Sequence, residues 1–374
     1  MSMYDVLVIG GGPGGSAAAR RLSDAGLSTL LLERGAFERE KPCAGGVPID
    51  TFSLLPEEAA SVIERWVERI EFRLRERSET YASLPPRTMA MVRRSSFDSL
   101  LSRTSGAELR SGSMVTELRH GDEWAEAVDR NGRVYRGRYC IVASGSLFPF
   151  ESFFNPHTPP RRGIALVSEP PLSPEYLERH GTTARFEFGT VPGGYIWIFP
   201  KQDHLSVGVG KFGPRGGEIA AATRGALTRM GVPGAEALRF RGHPIALPRR
   251  SAGFVRGRFL RVGEAAGLVD PLIGEGIRHA VRSGIMAAEA VRAGEPARYE
   301  RQARREILGD LLLAGTLGEL FYRFPLLSFK LGVENPLFLK KFAGIFSGRS
   351  SYRGMVARFP LYLAAAPFVR RRRE

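Results

Sequence analysis

Three stretches of the sequence predict an α/β fold: a Rossmann-type domain interleaved with an antiparallel-sheet domain, then a helical C-terminal region. The first is Val6-Leu-Val-Ile-Gly10-x-Gly12-x-x-Gly15, four apolar residues running into glycines and then into the small-residue run 16–19. The second is the span 183–212, where apolar or alternating segments flank a tight Lys201-Gln-Asp-His204 return. Alternation at period two marks antiparallel strands packed on one face. The third is another strand–turn–helix unit, Phe259-Leu-Arg-Val-Gly-Glu264 to Gly274-Glu-Gly276-Ile277, far from the first in sequence.

Taken in order, strand 6–9 leads into glycines whose spacing has a physical meaning. Gly10 permits the tight turn, Gly12 lets the backbone approach a pyrophosphate, and Gly15 lets helix and strand pack closely. The helix opening at Ser16 offers unpaired N–H groups and the positive end of its dipole to an anion. Strand 29–32 ends in Glu33, 18 residues beyond Gly15. A carboxylate there can accept hydrogen bonds from an adenosine ribose. A dinucleotide is therefore expected, bordered by Gly10, Gly12, Gly14, Gly15, Glu33 and Arg34.

Loop 41–46 is too rich in glycine for regular structure. Residues 57–68 read as a helix, 71–77 and 82–92 as extended, the latter interrupted by Pro85 and Pro86, and Ser95 or Ser96 as the cap of a helix reaching Leu101. Asn131-Gly132 signals a two-residue hairpin turn inside a meander over 115–143. Cys140 is expected to pack in the buried strand 139–143. Gly208-x-Gly210-x-x-Gly213 repeats the glycine spacing, but it falls within and after a hairpin strand and lacks the distal acid, so it is not a second dinucleotide site. Residues 218–230 read as a helix. The expected division is 1–70, 93–160 and 250–294 for the dinucleotide domain, 71–92 and 161–249 for the antiparallel domain, and 295–374 for the C-terminal region.

The chain has 374 residues and a net charge of +15. Of this, +9 lies in residues 320–374, which hold 11 Lys and Arg against two acids, and only +6 in the first 319. Basic residues mixed with Leu and Phe (Phe321, Phe324, Leu326, Leu327, Phe338, Leu339, Phe342, Phe359, Leu361, Leu363 and Phe368) suggest contact with an anionic membrane surface. No nucleic-acid motif is present. No run of 18 apolar residues is free of charge and proline, so no membrane span is expected. Two cysteines are too few for a disulfide framework, and the N-terminus has no secretory pattern. The expectation is a cytoplasmic protein, peripheral at the inner face of the membrane, with no metal site and no nucleic-acid partner.

The second glycine unit decides between cofactors. Two phosphate-compatible helix starts, roughly 260 residues apart, suit an extended cofactor better than NAD. Gly263-Glu264-Ala-Ala-Gly-Leu-Val-Asp-Pro-x-x-Gly274-Glu-Gly276-Ile277 resembles the second FAD motif of hydroxylase-type flavoproteins, whose fold is p-hydroxybenzoate hydroxylase-like. The resemblance is to their geranylgeranyl reductase branch. Lys41-Pro-Cys43-Ala44-Gly-Gly46 is similar to its cysteine–glycine loop, Arg93-Arg94-Ser-Ser-Phe97-Asp98 to its Arg-x-x-Phe-Asp helix start, and Gly194-Tyr195-Ile-Trp197-Ile-Phe199-Pro to its Tyr-x-Trp-x-Phe-Pro strand. Glu264 stands where aspartate is usual, and Ala44 where glycine is frequent.

The resemblance implies FAD as cofactor, held by Cys43, Ala44, Gly46, Arg94, Val115, Glu264, Gly274, Gly276 and Ile277 together with the first motif. Arg93 is left as a surface charge. Tyr195, Trp197 and Phe199 would line a substrate cavity. Cys43 and Tyr195 would be the catalytic residues, with Glu275 a further candidate proton donor. The implied reaction is saturation of carbon–carbon double bonds in the isoprenoid chain of a lipid, quinone or chlorophyll precursor, with NADPH or ferredoxin as electron donor. A monooxygenase or halogenase, and a non-enzymatic prenyl-lipid escort, remain alternative readings.

Overall fold

The computed structural model describes residues 3–75, 77–147, 149–155, 161–212 and 218–361. Tyr4–Ile9 is central to an eight-stranded sheet, pairing in parallel with Val134–Val142 on one side and Thr29–Leu32 on the other. Glu108–Arg110 and Phe259–Arg261 extend the parallel order outward. Strands covered on both faces read as continuous apolar runs, and Val6, Leu7, Val8, Leu30 and Leu31 are indeed solvent-free. Helices Pro13–Ser23 and Ile277–Arg292 converge on this sheet. They approach so closely that a Cβ on Gly284 would strike the Gly14 carbonyl, and one on Gly15 would strike that of Gly10. Glycine at these points lets the first helix pack closely on the second helix and on its own strand.

A seven-stranded sheet runs in the order Arg241–Ala246, Arg162–Ser168, Leu205–Lys211, Gly194–Pro200, Thr183–Phe188, Arg69–Leu74, Ser78–Ser83. Its pairs are antiparallel except Thr183–Phe188 with Arg69–Leu74. Gly208 and Gly210 sit in one of its hairpin strands, as the rejection of their motif requires. Gly46–Pro48, Met89–Val92 and Ile63–Val67 make a small third sheet.

Three local expectations are corrected. Residues 57–68 are a 3-10 helix, Glu57–Val62, followed by strand Ile63–Val67. Ile63, Trp66 and Val67 fit a pleated surface, and pairing with Met89–Val92 outweighs their helical spacing. The extended stretch 82–92 is interrupted at Pro85 and Pro86 as expected, and its two parts join different sheets. Helix Arg94–Arg103 starts before either serine and has no side-chain cap; Arg94 instead reaches Asp98 one turn on. The hairpin loop has three residues, because the Asp129 carboxylate accepts the amides of Asn131 and Arg133 and Gly132 closes it at φ 76°.

The C-terminal region folds back as cover. Asn335 caps helix Pro336–Phe346 by accepting the Leu337 and Phe338 amides, at 3.1 and 3.3 Å. The ring of Phe342 lies 5.5 Å from that of Phe72, Phe346 lies 4.9 Å from Phe186, and Phe321 4.9 Å from Phe188. Leu339 and Phe342, expected at a membrane surface, are thus buried against the seven-stranded sheet. Leu363, Phe368 and the arginines at 370–373 lie outside the described residues. No described helix is long and apolar enough to cross a membrane.

Candidate active site

The strand–glycine–helix unit forms one wall of a cleft lined by Gly10, Gly12, Gly14, Glu33, Arg34, Val115 and Ser144. The first helical bond of Pro13–Ser23 runs from the Ser16 amide to the Gly12 carbonyl, so the Gly14 and Gly15 amides precede it and face the cleft end of the helix. Glu33, 3% exposed, accepts the Gly11 amide at 2.7 Å and meets Arg39 Nε at 3.3 Å. The cleft is continuous with a second cavity, because Pro13, Lys41, Arg94, His243, Glu264 and Ala280 line both.

This elongated site fits FAD. Ser144 Oγ is buried in the first cleft without a protein partner, and a Cβ on Gly12 would meet only the Arg39 guanidinium, so the backbone there is open to a ligand. The second helix start, at Gly276, contributes its own donors. Glu275 takes the Arg278 amide at 2.8 Å, whereas the Gly276 and Ile277 amides have no protein acceptor among the described residues. If Glu33 holds the adenosine ribose, Glu33→Ala is expected to weaken FAD binding roughly 10- to 150-fold, from a loss of about 1.5–3 kcal/mol. The same change at exposed Glu38 should have little effect. Fluorescence titration of the FAD-free protein measures both.

Glu264 sits where the cavities join. Burial alone would raise its pKa, but Lys41 Nζ at 3.2 Å and His243 Nε2 at 3.8 Å pull it down to about 2. Its folded value is therefore below the unfolded one of about 4.5. Its contribution to stability is present above pH 4.5 and lost as the pH falls toward 2. Glu264→Gln is expected to flatten this part of the acid-unfolding curve without changing stability trends above pH 5, as circular dichroism against pH would record.

The second cavity, about 1160 Å³ with its open mouth, brings Cys43, Ala44, Gly46, Gly274, Gly276 and Ile277 together opposite Tyr195, Trp197 and Phe199. Phe186 and Phe212 complete the aromatic wall. The polar tips of that wall are already engaged: Tyr195 donates its hydroxyl to the Ile273 carbonyl, and Trp197 Nε1 lies 3.4 Å from Ser206 Oγ. Burial pushes the Tyr195 phenol up. Burial would also raise Glu275, but His279 and Arg278 hold it below the usual range, so it carries no proton at neutral pH. Cys43 Sγ accepts the Gly45 amide at 3.4 Å and lies within reach of the Arg94 guanidinium. Arg94 is buried and doubly bonded to Asp98, at 2.8 and 2.7 Å. Arg93, expected to be a surface charge, is 40% exposed and ties Glu64 to Asp203, each at 2.9 Å.

Sequence reasoning missed Arg39, Lys41, Lys201 and His243. Lys41 is the first residue of the cysteine–glycine loop itself and could have been included. Lys201 is fully enclosed behind that loop, donating to the Val92 carbonyl at 2.7 Å, and burial lowers it to about 8. His243 has no local signal, since it meets Glu264 only through the fold. No metal-binding cluster occurs among the described residues.

Residues 4–164 match the family model described as pyridine nucleotide-disulphide oxidoreductase. An uncharacterised protein of Methanosarcina barkeri is 32% identical over 88% of this chain and 87% of its own length. The chloroplastic geranylgeranyl diphosphate reductase of rice, Oryza sativa, is 30% identical over 77% of this chain and 66% of its own. In fold, a geranylgeranyl bacteriochlorophyll reductase-like protein of Thermoplasma acidophilum superposes with a TM-score of 0.74 at 22% identity, over 98% of this chain and 97% of the other. The two FAD motifs, the cysteine–glycine loop and the aromatic strand meet in one site, and the chain belongs to the geranylgeranyl reductase family of FAD-dependent oxidoreductases.

Proposed function

We propose that the protein saturates carbon–carbon double bonds of an isoprenoid chain carried by a lipid, quinone or pigment precursor. The observation that carries this reading is the aromatic cavity of Tyr195, Trp197, Phe199, Phe186 and Phe212, whose lining also takes in the Cys43 loop and 274–277. Such walls orient an apolar chain and exclude water. When bound, reduced flavin supplies the hydride. Lys41 and Glu264 bracket the junction between cofactor cleft and cavity. The proton is assigned to Cys43 Sγ, since the Tyr195 proton is committed to a backbone carbonyl and Glu275 is ionised. Cys43→Ala is expected to slow alkene reduction about 100-fold with FAD still bound, the usual size of an acid–base contribution. Tyr195→Phe should cost much less. Stopped-flow reoxidation of the reduced flavin by substrate measures both, and equal effects would remove Cys43 from this role.

Peripheral membrane contact belongs to the same reading. Leu320, Phe324, Leu326, Leu327 and Leu331 are exposed beside Arg323 and Lys330. Apolar and basic groups together suit an anionic bilayer. Flotation should show binding to anionic vesicles that weakens with salt and with Phe324→Ser/Leu327→Ser.

A further inference from the structure

The loop 270–276 leads into helix Ile277–Arg292, and Ile273, Gly274, Glu275 and Gly276 from it line the aromatic cavity. The loop is closed on itself by two backbone bonds. The Asp270 amide donates to the Glu275 carbonyl at 2.8 Å, and the Gly274 amide to the Asp270 carbonyl at 2.9 Å. Asp270, fully enclosed, also accepts the Leu272 and Ile273 amides through Oδ1, at 2.8 and 3.0 Å. Gly274 has φ 73°, and a Cβ there would lie 2.6 Å from the Tyr195 hydroxyl, so loop and aromatic strand meet without slack.

Three tyrosine hydroxyls from three separate elements hold this loop. Tyr195, on strand Gly194–Pro200, donates to the Ile273 carbonyl. Tyr322, near the end of helix Gly309–Arg323, donates to the Leu272 carbonyl at 2.8 Å. Tyr352, first in helix Tyr352–Ala357, donates to Asp270 Oδ2 at 2.8 Å. The two C-terminal helices are themselves locked together, since Asp310 on the first accepts the Tyr352 and Arg353 amides of the second, at 3.2 and 3.0 Å. Apolar packing alone would cover the loop without fixing its direction, whereas hydrogen bonds are directional. What the loop aims is the helix start, where the Gly276 and Ile277 amides have no protein acceptor among the described residues. Such donors favour negative charge. Reduction adds electrons to a flavin, so the reduced form depends more than the oxidised form on how these donors are aimed.

We propose that Asp270, Tyr322 and Tyr352 are positioning residues for the flavin, through which the C-terminal helices aim the 270–277 segment and favour the reduced cofactor. The role given to residues 309–357 is then more than cover: they set the electron affinity of a site to which they contribute no cofactor motif. The proposal requires bound FAD and is independent of which alkene, if any, the flavin reduces.

The experiment uses the FAD-loaded full chain and measures the flavin potential by anaerobic titration against a reference dye, with urea unfolding on the same samples. Tyr322→Phe and Tyr352→Phe each remove one hydroxyl and keep the ring. Each is expected to weaken reduced FAD about 3- to 10-fold more than oxidised FAD, roughly the worth of one hydrogen bond. For a two-electron couple that is a fall of about 15–30 mV. Asp270→Ala, which loses three bonds, should fall further, and Asp270→Asn, whose Oδ1 can keep both amides, should recover most of that difference. Val333→Ala is the control: Val333 is 1% exposed in the same cover, so its loss lowers stability but removes no hydrogen bond to the loop. Its potential should match the native value. An unshifted potential in both tyrosine variants overturns the proposal. An equal shift in Val333→Ala does so too, because general loosening would then account for the effect. If Asp270→Asn is as impaired as Asp270→Ala, charge and not hydrogen bonding is the active feature, and the positioning role fails.

Discussion

Phe342→Ala is expected to lower the unfolding free energy by about 3–5 kcal/mol, the cost of emptying a buried aromatic site. The ring is 3% exposed and packs on Phe346, which lines the aromatic cavity, and on Phe72, which stacks on the wall residue Phe186. The helix carrying it is held at its start by the Asn335 cap, and the next helix is tied to the flavin motif by the Tyr352 hydroxyl, 2.8 Å from Asp270. Urea unfolding of the native protein, Phe342→Ala, Phe72→Ala and the double variant gives the coupling directly. Because the rings touch, the double variant should cost less than the sum of the singles. Removal of residues 362–374 should cost far less than the single Phe342 substitution. A truncation that unfolds the protein while Phe342→Ala is harmless would refute the assignment of residues 336–346 as cavity cover.

Arg94→Met is expected to be equally costly, about 3–5 kcal/mol, because it leaves Asp98 buried without its bidentate partner. Asp98 is fully enclosed, and Arg39 approaches it only at 3.5 Å, too far and too exposed to compensate fully. Arg94→Met/Asp98→Leu removes both charges and should recover much of the loss, since a well-packed apolar pair often equals a buried ion pair. FAD affinity separates a second role: Arg94 lines both cavities, so the double variant should regain stability but not cofactor binding. Recovery of both would make Arg94 purely structural.

The parts of the site legible in the sequence are those whose meaning is local. A strand, a glycine turn and a helix start fall within 14 residues, so Gly10, Gly12 and Gly15 could be interpreted from spacing, and Glu33 from its distance to them. Period two placed Tyr195, Trp197 and Phe199 on one face, which the structure turns toward the cavity. The junction was not legible. Lys41, His243 and Glu264 are more than 200 residues apart at their widest, and only the crossing of the two sheets brings them together. Strand Ile63–Val67 was hidden because its helical spacing is overruled by a partner strand more than 20 residues later. The packed part of the tail was hidden for a different reason. Prolines cut its aromatics into short helices, so no periodic face revealed that Phe342 and Phe346 look inward.

The most direct test of the central claim is mass spectrometry of a geranylgeranyl substrate after anaerobic incubation with the dithionite-reduced, FAD-loaded protein. The expected result is a gain of about two daltons for each double bond saturated, with stoichiometric flavin reoxidation, as hydride and proton add across the alkene. An unchanged substrate mass, or oxygen-dependent NADPH consumption giving a hydroxylated or halogenated product with the alkenes intact, would contradict it.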